Sequence, residues 1–206
     1  DESRSRIERA IDLARELGQR DKEAVGIGHL AKWMKVQGRN EEAEALVRRY
    51  LAMAKELGSP TSELYASMRL GILLQDLGRF DEALTPLERE LQIAREFGIR
   101  IAESAALVNL SGLKETQGHF DDVVALTRQA IELDRELGLD EGVCEDRANL
   151  AYALWCKGAL QEARHEIRAA MEGFVALGGL PQPALMETEA RIDVSLGRLE
   201  ACRTRL

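Results

Sequence analysis

The stretch GRFDEALTPLERELQIAREFG, residues 78 to 98, opens and closes on glycine and carries apolar residues at helical spacing in between. The same bracket recurs as GRNEEAEALVRRYLAMAKELG from Gly38 to Gly58 and as GHFDDVVALTRQAIELDRELG from Gly118 to Gly138. Gly18, Gly58, Gly98, Gly138 and Gly178 fall 40 residues apart, as do Gly38, Gly78, Gly118 and Gly158, with Gly197 following after one deletion. Glycine enters the left-handed conformation without a Cβ clash, so it ends a helix cleanly. The pattern therefore predicts helix, glycine turn, helix, glycine turn, repeated; a fixed period of this size marks a solenoid.

The columns of that period show which faces pack. Leu30, Leu70, Leu110 and Leu150 align, each followed by a small residue: Ala31, Gly71, Ser111 and Ala151. A large apolar side chain beside a small one predicts a knob next to a point of close helix approach. In the alternate helices Ala43, Ala83, Val123, Ala163 and Cys202 align, as do Ile11, Leu51, Leu91, Ile131 and Met171. Asn40, Phe80, Phe120, Leu160 and Leu199 follow the turn glycines as mostly apolar plugs at the corners. Each helix offers one apolar stripe and an otherwise charged surface, so burial must come from neighbouring repeats. Pro86, early in its helix, is expected to bend the first turns.

The 206 residues are 45% hydrophobic and 31% charged, enough for a substantial core and outside the disordered regime. The net charge of −8 argues against sequence-independent binding to nucleic acid, which needs a basic face. No apolar run approaches the ~20 residues of a membrane span. Cys144 and Cys156 lie on one predicted helix about 18 Å apart, too far to bridge, and no CxxC occurs. A reducing, cytoplasmic compartment is expected. Cys202, where other repeats use alanine or valine, reads as a small buried residue.

Catalytic apparatus is absent from the sequence. His29, His119 and His165 fall in no metal-binding spacing, and neither GxGxxG nor a P-loop occurs, so no cofactor is expected. The carboxylate pairs Glu41–Glu42 and Asp121–Asp122 stand at predicted helix starts, where they complement the helix dipole. Asn109-Leu110-Ser111 matches a glycosylation sequon but lies inside a predicted helix.

The stretches RLGILLQDLGRFDEAL (69–84) and NLAYALWCKGALQEAR (149–164), with their Leu–small pair, turn glycine and later alanine, resemble the tetratricopeptide repeat, here in a 40-residue, long-helix form. The resemblance implies an all-α, right-handed superhelical solenoid of antiparallel helix pairs, about 10–11 helices in all. It implies an A and a B helix per repeat, with A helices lining a concave groove. Residues 1–17 then form an orphan B helix, and repeats cover about 20–58, 60–98, 100–138 and 140–178. A partial repeat covers 182–206. Ile7, Ile11 and Leu13 stand at the open N-terminal side, so the solenoid is expected to continue in at least one direction.

By the same resemblance, the ligand-facing A-helix positions are Val25, Gly28, Lys32 and Lys35; Tyr65, Met68, Ile72 and Gln75; and Ala105, Val108, Gly112 and Glu115. The fourth and fifth A helices add Glu145, Ala148, Tyr152, Trp155, Glu187 and Arg191. Lys32, Lys35, Tyr65, Met68, Ile72, Val108, Asn109, Asn149, Tyr152, Trp155 and Arg191 are the candidate partner-binding residues. Tyr65, Met68, Ile72, Val108, Tyr152 and Trp155 give a mostly apolar floor, and Lys32 with Lys35 would favour acidic residues at one end. Asn109 and Asn149 could reach a peptide backbone or bond between helices. The opposing reading is that long repeats coil tightly and bury this face against itself. The family's lysine–asparagine carboxylate clamp is not reproduced, because Ile72 and Gly112 follow Lys32 in its column.

The expected function is a non-enzymatic protein–protein interaction scaffold that holds an amphipathic helix or an extended peptide. The alternative is a sensor segment of a larger signalling protein, acting on its own catalytic or DNA-binding domain. A small-molecule pocket around Tyr152 and Trp155 is a third reading.

Overall fold

A computed structural model describes residues 2–180 and 183–197. Ten α-helices, and no strand, occur among the described residues. They are α1 (Glu2–Glu16), α2 (Arg20–Val36), α3 (Asn40–Glu56), α4 (Pro60–Asp76), α5 (Phe80–Glu96), α6 (Arg100–Thr116), α7 (Phe120–Leu137), α8 (Asp140–Cys156), α9 (Leu160–Ala176) and α10 (Pro183–Ser195). The architecture is an all-α repeat solenoid in which α1 to α5 pack in series, as do α7 to α10. The chain divides into two compact units, residues 1–102 and 103–206.

The turns follow from the glycines. At Gly78, φ is +72°; its N–H donates to Gln75 O at 2.9 Å, and Arg79 N–H donates to Leu74 O at 2.8 Å. These bonds satisfy the last carbonyls of α4 in a left-handed cap. Arg79 then opens α5 without a side-chain cap, its own carbonyl accepting from Ala83 N–H at 3.1 Å. Its guanidinium grips Glu82 at 2.6 and 2.7 Å and reaches back to Glu44 on α3 at 2.8 Å, fastening the corner. Where the linker offers a serine, a side chain does cap: Ser59 Oγ accepts from Ser62 N–H, ahead of Pro60 at the first helical position.

The packing columns are buried as the spacing requires. Leu30, Leu70, Leu110 and Leu150 are all buried, and Ala43, Ala83, Val123 and Ala163 are fully so. Gly71 marks the close approach: a Cβ there would stand 2.4 Å from Leu87 Cδ2 on α5. The second column is mixed, with Ile11 and Ile131 buried but Leu51, Leu91 and Met171 half-buried. Phe80, Phe120, Leu160 and Asn40 are half-buried corner residues. Ile11, expected on the open side, is instead buried against Gly26, whose missing Cβ leaves room for it. Pro86 sits buried inside α5, which runs on through it from Phe80 to Glu96. Leu199 and Cys202 lie outside the described residues.

Candidate functional site

In the first unit, α2 lies across α3 and α4 and leaves a cleft of ≈ 400 Å³ between them. Met68, Ile72 and Leu73 from α4, with Val47 from α3, give it an apolar floor, and Lys32 and Lys35 stand on the α2 wall. Four expected residues, Lys32, Lys35, Met68 and Ile72, thus meet in one cavity. Tyr65, one turn earlier on α4, is 48% exposed. The first-unit face is therefore open rather than folded in on itself.

The cleft's electrostatics differ from the expectation in one respect. Lys35 Nζ already pairs with Asp76 across α2 and α4 at 2.5 Å, whereas Lys32 has no such partner among the described residues. Arg69, which spacing did not single out, also lines the cleft, and its Nε is buried without a hydrogen-bond acceptor. A buried donor left unpaired is unfavourable until something accepts from it. The cleft thus offers two unfilled cationic donors, Lys32 and Arg69, beside an apolar floor. Gly28, expected to face a ligand, is buried under the Tyr50 ring, whose Cε1 lies 2.8 Å from where a Cβ would be. Column spacing did not reveal this, because the partner residue is a tyrosine only in that repeat.

The second unit gathers Tyr152, Trp155 and Arg191. The two rings lie 5.8 Å apart and tilted, and the Arg191 guanidinium sits 5.9 Å from the Trp155 ring centre. Trp155 Nε1–H donates to Ser195 Oγ at 2.9 Å, and that hydroxyl donates on to Arg191 O at 2.9 Å. The tryptophan therefore ties α8 to α10 as well as presenting a face. Hydrogen bonding to Cys156 raises the Tyr152 hydroxyl pKa, and the Glu115 charge on α6 adds to the effect. Partial burial raises the Glu115 carboxyl itself. Val108 is 36% exposed. Asn109 is half-buried and bonded. Asn149 is exposed and hydrogen-bonds Asp146 one turn back on its own helix. The second-unit residues thus divide between a mixed aromatic–cationic cluster and helix-bound polar groups.

Residues 63–136 match the tetratricopeptide repeat profile. No curated protein sequence matches the chain. Among solved structures, BtubC (BKLC) from P. vanneervenii superposes with a TM-score of 0.85 at 20% identity, over 98% of this chain and 85% of that one. The STAND signal-transduction ATPase with a tetratricopeptide repeat sensor from Pyrococcus horikoshii gives 0.81 at 15% identity, over 96% of this chain and 32% of that one. YrrB, a tetratricopeptide repeat protein with an unusual peptide-binding site, gives 0.66 at 16% identity, over 94% and 87%. The profile match places the tetratricopeptide repeat at residues 63–136, and the likeness to these structures shows that the chain shares their fold. No described helix is long and apolar enough to cross a membrane.

Proposed function

We propose that the protein is a non-enzymatic interaction scaffold that binds a segment of a partner protein on the exposed faces of its A helices. The observation carrying this reading is the first-unit cleft, where Met68 and Ile72 form an apolar floor beside Lys32 and the unpaired Arg69 Nε. An apolar floor takes anchoring side chains, and the cations favour acidic neighbours of those anchors. An amphipathic helix or an extended peptide can present such a pattern. Tyr152, Trp155 and Arg191 form a second candidate contact surface within the second unit. The peptide-binding site named for YrrB supports a peptide ligand by analogy of fold. The likeness to a signalling ATPase's repeat sensor supports the second reading, a regulatory segment acting within a larger polypeptide.

Selection of the whole chain against a random peptide display library tests the primary reading. Peptides pairing a large apolar residue with carboxylates should be enriched, and Ile72→Asp should abolish their capture. Enrichment of no consensus, or peptides retained equally by Ile72→Asp, would sink it.

A further inference from the structure

Two columns of the period run side by side along the A helices: Lys32, Ile72, Gly112 and Tyr152, then Lys35, Gln75, Glu115 and Trp155. Residues of the second column reach across to the next A helix. Lys35 on α2 pairs with Asp76 on α4, and Trp155 on α8 donates to Ser195 on α10. From the same position on α6, Glu115 looks toward α8, where its charge acts on the Tyr152 hydroxyl and the residue equivalent to Asp76 is Cys156. Neither is a cation. Lys114, its chain neighbour, turns to Asp122 at 3.9 Å, and Arg191 is held by Glu187 at 2.6 Å. Glu115 is thus half-buried with no donor meeting it among the described residues, and burial alone displaces its carboxyl upward. A partly desolvated carboxylate without a donor is unfavourable, and a cation brought to it relieves that cost.

The surroundings suit the stem of such a cation. One turn before Glu115, Gly112 is exposed, and a Cβ there would meet no atom within 4 Å. A further turn back stands the exposed Val108. The missing side chain leaves an apolar notch in α6 that the other repeats fill with Lys32, Ile72 or Tyr152. On α8, the Trp155 ring is fixed by Ser195 and already carries the Arg191 guanidinium, whereas no cation lies on the Tyr152 ring among the described residues. The face is not a cut end of the series. Helices α7 and α9 pack on α8, and α10 lies beyond it, so a further repeat would add past α10 rather than over Gly112 and Tyr152.

We propose that α6 and α8 hold a lysine side chain of a partner protein's segment, with its ammonium at Glu115 and its methylenes across the Gly112 notch and the Tyr152 ring. The inference rests on the reading of the protein as a scaffold and gives its second-unit surface a selectivity opposite in sign to that of the first-unit cleft. Lysine rather than arginine fits because a compact ammonium on a four-carbon stem needs one carboxylate and an apolar track. A planar guanidinium already occupies the neighbouring Trp155 face.

The test pans the random peptide display library on the immobilised whole chain in the presence of excess soluble Glu115→Gln chain, which removes every peptide that does not need the carboxylate. The survivors should share a lysine. The synthesised consensus peptide is then titrated into a Trp33→Phe chain, where emission reports on Trp155 alone, since the protein has two tryptophans. It should shift that emission and bind about tenfold or more weaker to Glu115→Gln. Glu172→Gln, at an exposed carboxylate elsewhere in the second unit, should leave binding unchanged. Norleucine in place of the peptide's lysine should lose the same factor, with no further loss in Glu115→Gln. Survivors without a common lysine would overturn the proposal, as would equal losses in Glu115→Gln and Glu172→Gln. A dimer in sedimentation that Glu115→Gln dissociates would also overturn it, by showing that a second copy supplies the cation. A carboxylate consensus from the unsubtracted selection with no survivors here would overturn this inference alone. A lysine consensus here without a carboxylate one there would uphold it and sink the reading of the first-unit cleft.

Discussion

The two units are built on one period but filled differently. In the first, A helices are fastened to B helices by ion pairs: Glu23 on α2 accepts from Arg15 on α1 and Arg49 on α3, each at 3.1 Å, and Glu63 on α4 accepts from Arg89 on α5 at 2.8 Å. In the second, the equivalent positions in the fourth repeat are Val143 and Ala169, which cannot pair. Meanwhile Ala54 and Ala94 of the first unit become Asp134, and Gly26 and Ala66 become Asp146. Both aspartates are buried, one on α7 and one on α8. Asp134 accepts from Ser104 Oγ, but Asp146 Oδ2 has no partner. Helix and turn geometry thus tolerate an exchange of small apolar residues for carboxylates, because the backbone is set by the glycines and the leucine columns. What the exchange changes is how stability responds to conditions.

The largest expected effect is common to both units. Leu70→Ala in the first and Leu110→Ala in the second should each cost about 2–5 kcal/mol in denaturant unfolding, as buried large-to-small changes. An undetectable change at either site would show that its column does not pack as described.

The next effect separates the units. Burial, then the Asp134 and Glu145 charges, push the Asp146 carboxyl up to about 7 from an ordinary value of 3.8. The folded value is the higher one, so the protonated carboxyl's contribution is fully present below the unfolded pKa. It is lost as the pH rises toward and through 7. The second unit should therefore lose a few kcal/mol of stability between pH 4 and pH 8, and Asp146→Asn should flatten that slope. Trp33 reports on the first unit and Trp155 on the second, so single-tryptophan chains read the two separately. A slope unchanged by Asp146→Asn would remove the aspartate as its source.

The smallest effect concerns the first-unit cleft. Lys35→Ala breaks an ion pair whose side chains are 36% and 51% exposed, so the melting temperature should move only slightly, by less than about 1 kcal/mol in stability. A large loss would mean that the pair holds α2 on α4.

Much of the architecture was legible without coordinates. Glycine at a helix C-terminus and apolar residues at helical spacing are local signals, so the helix ends and the Leu–small columns could be read from order alone. The same columns brought Lys32, Lys35, Met68 and Ile72 into one cleft, because a strict period puts equivalent residues on equivalent faces. Tertiary structure decided what depends on contacts between helices. Gly28 is covered because the residue opposite is Tyr50, Lys35 is neutralised because Asp76 lies across from it, and Trp155 is tethered because Ser195 stands one repeat away. Arg69 became a candidate donor only once its Nε was seen buried without an acceptor. By itself the sequence determined the repeat, the turns and the core stripes, since these follow from backbone preference and hydrophobic period. Which side chains remain free to bind was decided by the size and charge of residues across each interface, which vary from repeat to repeat while the period stays fixed.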